Sequence, residues 1–294
     1  MTKELEVKKA IIPVAGLGTR FLPLSKSLPK EFFPLVDKPI IQYVIDEMKK
    51  SGIEEIVFVV SPKQKMILEH FKKSPELEKF LTKRNKQDAL KEFKEFESLF
   101  EGMTFSFATQ KEALGDSHAL LQAASKVKGS PVAVSFGDDI IDSETPAILQ
   151  LINIFKTCSA PVVGLKQLPR EKVSAYGSVA VEKIANNLYK IKKIIEKPKP
   201  EEIPSNLVIV GKYVLTADVF GYLKKAEPSS KGEIILAEVF DKMLNDGKTI
   251  YGYELKGEWL ECGDKLKWLK SFMYFALKDA RFGEELKKYI KTIK

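Results

Sequence analysis

A chain of 294 residues with 44% apolar content can bury a large core, and its net charge of +8, from 48 Lys and Arg against 40 Asp and Glu, suits a polyanionic substrate. Lys and Glu are interspersed with no basic tail and no aromatic-basic repeat, which argues against nucleic acid as the partner. Cys158 and Cys262 make neither a disulfide framework nor a C-x-x-C pair, the first nine residues lack the apolar run of a signal peptide, and no stretch reaches membrane-spanning length, so the expected setting is the cytoplasm, away from the membrane.

The apolar run from Ala10 to Ala15 reads as a buried strand, and it opens directly into a Gly-rich turn followed by Arg20, Lys26 and Lys30 with no acid among them. Gly16 and Gly18 let backbone N–H groups approach a polyanion, while the cations neutralise charge on its oxygens. This is not a P-loop, because Gly16 and Gly18 are followed by Thr19 and Arg20 rather than by a glycine, Lys and Ser/Thr. Nor is it a dinucleotide fingerprint, because the third glycine position is Phe21. Pro39 suits the first turn of a helix through IIQYVIDEMKKSG, and EEIVFVV reads as the next strand, so a βαβ unit carries the anion loop at the carboxyl end of its first strand.

Residues 63–100 break the rhythm of strands: they are rich in Lys and Glu, with Phe71, Leu77, Phe80, Leu81, Leu90, Phe93 and Phe96 at amphipathic helical spacing, and read as a helical insertion. Strands return at MTFSFAT, PVAVSF, APVVGL, SVAVEKI and LVIVGKYVL. The alternation predicts an α/β fold, a Rossmann-like mixed sheet flanked by helices, as a single domain over residues 1–294. VAVSFGDDIID puts Asp138 and Asp139 just past a strand, at the edge where the anion loop should lie, and such carboxylates suit Mg2+, which takes one or two of them together with substrate phosphate. A tail of helix from about residue 265 carries Leu266, Leu269, Phe272, Met273 and Ala276 as a stripe for the core or for a subunit interface. No Ser/His/Asp or Cys/His arrangement for nucleophilic catalysis is present.

The pattern GxGTRxxPxxKxxPK, with VDKPIIQYVIDE, PELEKFLTKRNK, AYG at 175–177, EKPK at 196–199 and SNLVIVGKYVL at 205–215, resembles the sugar-1-phosphate nucleotidylyltransferases from about Lys9 to Trp268, and within them the bacterial branch that joins UTP to glucose 1-phosphate. The resemblance implies the nucleotide-diphospho-sugar transferase fold, UTP and glucose 1-phosphate as partners, Mg2+ as cofactor, and a homodimer or homotetramer. It implies Arg20 and Lys30 as phosphate-binding catalytic cations, and a nucleotide site from Ala15, Gly16, Gly18, Gln110 and Gly115. It assigns Gly177 and Glu196 to the sugar, Lys197 to the sugar phosphate as a third catalytic cation, and Asp138 to the metal, with Asp139 turned to the opposite side.

Four positions depart from or stand beside that pattern. The second metal ligand is usually Asp in a D-[CT]-G block, whereas here the block is Glu261, Cys262, Gly263 and Asp264, with Asp264 in place of the more usual Asn. Ser117 stands where the base-reading turn has Gly or Ala, and its hydroxyl needs a partner. His118 reads as a packing residue. The same chemistry with dTTP or another sugar 1-phosphate, and a catalytically weak regulator that binds nucleotide sugars, are the alternative readings.

Overall fold

β-Branched runs set the strands of the computed structural model, which describes residues 6–293 apart from 63, 65, 230 and 231. The chain opens with β1 (Lys9–Pro13), the short pair β2 (Pro34–Leu35) and β3 (Lys38–Pro39), α1 (Ile40–Lys50) and β4 (Glu55–Val60). Helices α2 (Met66–His70), α3 (Pro75–Lys83) and α4 (Gln87–Ser98) fill the expected insertion, two positions of which, 63 and 65, lie outside the described residues. Then come β5 (Thr104–Thr109), α5 (Asp116–Val127), β6 (Val132–Ser135), β7 (Asp139–Asp142), α6 (Ala147–Cys158), β8 (Val162–Gln167), α7 (Arg170–Val173), β9 (Gly177–Ala185) and β10 (Leu188–Glu196). The last third holds β11 (Leu207–Leu215), α8 (Val219–Leu223), α9 (Leu236–Asn245), β12 (Tyr251–Glu254), β13 (Glu258–Glu261), α10 (Lys265–Lys278) and α11 (Gly283–Ile290).

Among the described residues nine strands form one mixed sheet in the order β5-β4-β1-β6-β11-β8-β12-β10-β9. β1 pairs in parallel with β4 on one side and β6 on the other, so successive connections leave β1 in opposite directions. The crevice outside the carboxyl ends of two such strands is where an open α/β sheet receives its ligand. Alternate side chains feed two apolar layers: Ile11, Val57 and Val59 go to one face, and Ala10, Ile12, Ile56 and Phe58 to the other. Across the second layer Lys212 of β11, fully buried, places Nζ 2.8 Å from Glu47 of α1 and 3.0 Å from Ser135 Oγ, and Glu47 also accepts from Ile148 N at 2.9 Å.

Several elements differ from what the sequence predicts. β1 ends at Pro13 rather than Ala15, and α1 starts after Pro39, which lies in β3. β7 and β13 are four-residue strands that pair with each other apart from the main sheet, and sequence alone did not reveal β7 or β12. In the insertion, α3 and α4 contain no buried residue, and Leu77 and Phe80 face solvent, whereas Phe71 and Phe96 pack on the second apolar layer. The α10 stripe divides in the same way: Ala276 is buried and Phe272 packs on an apolar cluster with Phe21, Phe33 and Leu260, while Leu266, Leu269 and Met273 are 61%, 49% and 40% exposed. Among the described residues no helix is long and apolar enough to cross a membrane.

Candidate active site

The anion loop leaves the carboxyl end of β1 and turns at Gly18, whose φ of +60° is a left-handed conformation that glycine adopts without strain. Phe21, just beyond, is buried and meets Phe33 edge to face at 4.9 Å, so the loop is pinned by an apolar anchor. Ala15, Gly16, Gly18, Arg20 and Lys30 line one wall of a cavity of about 500 Å³, and Gln110, Gly115 and Asp116 line it as well. Lys26 is exposed outside it. Lys30 pairs with the Asp138 carboxylate and lies 4.0 Å from Glu31. Burial pulls its ammonium down, but the two carboxylates more than offset that and hold it above the usual lysine range.

At the far end of the cavity Gly115 has φ +94°, and a Cβ there would lie 2.6 Å from the Ile234 carbonyl oxygen. No larger residue could let the chain pass so close. Gln110 donates through Nε2 to Gly115 O at 3.0 Å and lies 3.0 Å from His118 Nδ1, while His118 Nε2 lies 3.1 Å from Gln122. His118 is therefore more than packing, since it fixes the amide expected to read a base. Ser117 Oγ is buried without a hydrogen-bond partner. Asp116 accepts from Ser117 N at 2.6 Å and Leu236 N at 3.0 Å, and burial pushes its carboxyl up to about 6.

A second cavity of about 250 Å³ adjoins the first and shares Arg20, Asp116, Phe136, Asp138 and Gly263 with it. Gly177, Glu196 and Lys197 line it. A Cβ on Gly177 would lie 2.9 Å from Glu196 Oε2, so the glycine makes room for that carboxylate. Lys197 has φ +46°, a left-handed conformation that a residue with a Cβ adopts at a cost of about 1–2 kcal/mol, and strain of this kind gathers at functional sites. Its Nζ lies 3.6 Å from Glu196 Oε1.

β7 and β13 bring the acidic residues to this cavity, because their pairing sets Glu261 opposite Asp139 and Cys262 N donates to Asp138 O at 2.8 Å. Asp139 is not turned away from the site as the resemblance implies, for it too borders the second cavity. It is buried, accepts from Trp259 Nε1 at 2.9 Å, and its carboxyl is held above the usual carboxylate range by burial and by Asp138. Glu261 is engaged at both oxygens: Tyr176 OH donates to Oε2 at 2.5 Å and Lys267 Nζ donates to Oε1 at 2.8 Å. Two carboxylates with oxygen donors on one cavity are the set that Mg2+ takes beside phosphate, so the donor chemistry of Asp138 and Glu261 fits that ion.

Four residues of these walls escaped the sequence reading. Glu31 is 1% exposed, lines the larger cavity and leaves Oε2 unpaired, and burial pushes its carboxyl up to about 7. An acid flanked by Lys30 and two phenylalanines was the available signal. Tyr213 lines the smaller cavity beside Asp139 and Glu196, and Tyr176 lies within the AYG block. Lys267 gave no signal, since it reads as one more exposed helix lysine.

A glycine-rich loop at the point where the sheet order reverses, opening on two adjoining cavities, is placed where an open α/β sheet receives a nucleotide. The nucleotidyl transferase family matches residues 9–276, and the chain belongs to it. It is 39% identical over 289 residues to UTP–glucose-1-phosphate uridylyltransferase 1 of Staphylococcus saprophyticus, covering 98% of this chain and 99% of that protein. Among solved structures it resembles a UTP-bound UGPase from Acinetobacter baumannii, with TM-score 0.90 and 35% identity over 98% of this chain and 100% of that one. A UDP-glucose pyrophosphorylase complexed with UDP-glucose gives TM-score 0.84 and 31% identity over 93% of this chain and 100% of that one.

Proposed function

We propose that this protein transfers the uridylyl group of UTP to α-D-glucose 1-phosphate, giving UDP-glucose and pyrophosphate. The observation that carries the reading is the pair of cavities meeting at Arg20 and Asp138, one walled by the glycine loop and Gln110, the other by Gly177, Glu196 and Lys197. A phosphate oxygen of the sugar attacks the α-phosphorus of UTP, and the bond from that phosphorus to the bridging oxygen breaks to release pyrophosphate. Such a displacement needs positioning and charge neutralisation rather than a protein nucleophile.

In this reading Arg20 holds the β and γ phosphates and Lys30 balances charge at the α-phosphate. Gln110, steadied by His118, and the backbone of Gly115 meet the uracil edge. Glu196 accepts from sugar hydroxyls beside Gly177, and Lys197 aims the attacking phosphate as a compact point charge. Asp138 and Glu261 would hold Mg2+, which supplies neutralising charge to the phosphate oxygens. We take residues 1–294 as one catalytic unit working in the cytoplasm as a homodimer or homotetramer. Exposed Leu266, Leu269 and Met273 on α10 support association, and light scattering would read the multiple of 33.2 kDa.

Pyrophosphate release across UTP and dTTP with several sugar 1-phosphates tests the reading. UTP with glucose 1-phosphate should give the highest kcat/KM. Equal rates with dTTP would overturn the base assignment, and tight UDP-glucose binding without any release would favour the regulatory alternative.

A further inference from the structure

Glu261 sits in a closed ring of hydrogen bonds. Lys267 Nζ donates to Glu261 Oε1 and to Tyr176 OH, both at 2.8 Å, and Tyr176 OH donates to Glu261 Oε2 at 2.5 Å. The same ammonium lies 4.8 Å from the Tyr176 ring centroid. Lys267 is held at the start of α10 by Asp264, which accepts from Lys267 N at 3.0 Å and leaves Oδ2 3.8 Å from Nζ.

Asp138 is also paired with a lysine, but the two lysines line different cavities. Lys30 lines the larger cavity, where nucleotide phosphates offer it a new partner and release Asp138. Lys267 lines only the smaller cavity, and its partners there are the ring itself. Its positive charge lies within hydrogen-bond distance of the carboxylate that a divalent cation has to share, and at such range two cations repel strongly in a partly buried site.

We infer that Lys267 is a positioning residue that holds Glu261 in a charge-cancelled pair and thereby weakens the hold of this site on its divalent cation. Glu261 keeps its pose through Tyr176, while Lys267 sets how much of its charge is left for the metal. The inference rests on the assignment of Asp138 and Glu261 as metal ligands.

Binding of Mn2+ tests it, read as free Mn2+ by electron paramagnetic resonance with the enzyme saturated by UDP-glucose, so that no turnover is needed. Lys267→Met should bind Mn2+ about tenfold more tightly than the parent. Lys267→Arg, which keeps the charge, should bind as the parent does. Adding Glu261→Gln to Lys267→Met should abolish the gain, and Lys267→Gln serves in place of the Met variant if that protein does not fold. Unchanged or weaker binding by Lys267→Met, or a gain that persists without the Glu261 charge, would overturn the inference. Asp138→Asn separates the two layers: if it leaves Mn2+ affinity unchanged the metal assignment itself fails, whereas if it weakens binding while Lys267→Met brings no gain, only the role of Lys267 fails.

Discussion

Arg20 and Lys30 stand on a loop whose conformation is set by other residues, chiefly the left-handed turn at Gly18 and the buried ring of Phe21. Arg20→Ala and Lys30→Ala should therefore lower kcat by at least about a hundredfold while the melting temperature of Arg20→Ala barely moves. Near-parental turnover at saturating UTP would remove the phosphate-loop assignment. Asp138→Asn keeps the shape but loses the charge that draws a cation, so metal-dependent activity should vanish in a folded protein. Asp139→Asn keeps an acceptor for Trp259 Nε1, and steady-state rates should show a much milder loss. Asp116 gives a pH-dependent prediction. Burial raises its carboxyl from 3.8 to about 6, so the folded chain keeps a proton that the unfolded chain has released, and stability falls as pH rises through that window. Asp116→Asn keeps the acceptor for both backbone donors without the charge. Urea unfolding should find it more stable than the parent by about 1–3 kcal/mol at pH 8 and equal at pH 4. The glycines and cations of the loop were legible in the chain because their spacing is local. The ring of Tyr176, Glu261 and Lys267 was not, because Tyr176 lies 85 positions from Glu261 and only the folded chain brings it there.

At the level of elements, long apolar strands such as β4 and β11 announced themselves, since β-branched runs have few other uses. β7 and β12 did not, because each sets only two large apolar residues among polar neighbours. The segment of α2 to α4 is helical, yet its apolar residues over-promised burial: the aromatic cluster of Phe58, Phe71, Phe100 and Phe105 is complete without Leu77 and Phe80. His70 joins this insertion to the anion loop by meeting the ring of Phe32 edge to face at 5.5 Å, one residue beyond Glu31. Sheet and helices are tied by Lys212 and Glu47, and removing one partner strands the other charge. Glu47→Gln should cost about 3–5 kcal/mol by urea unfolding, and Glu47→Gln with Lys212→Met should recover most of it. A double variant no more stable than the single one would show that the pair is not the unit that matters.

Over the whole molecule, the site gathers residues from both ends of the chain. Arg20 Nη1 donates to Gly263 O at 3.3 Å and Lys265 Nζ donates to Leu22 O at 2.9 Å, each across 243 positions. Contacts between residues so distant form late, because the loop they close is long and its entropy must be overcome before the contact gives anything back. Folding therefore has an order that synthesis cannot shorten: β1, α1 and β4 can dock as soon as they emerge, while the strand that meets β7 and the residues that steady Arg20 come near the end. During that interval the nascent protein has a nearly complete sheet and an unfinished catalytic centre, and it exposes the apolar floor on which α10 will settle.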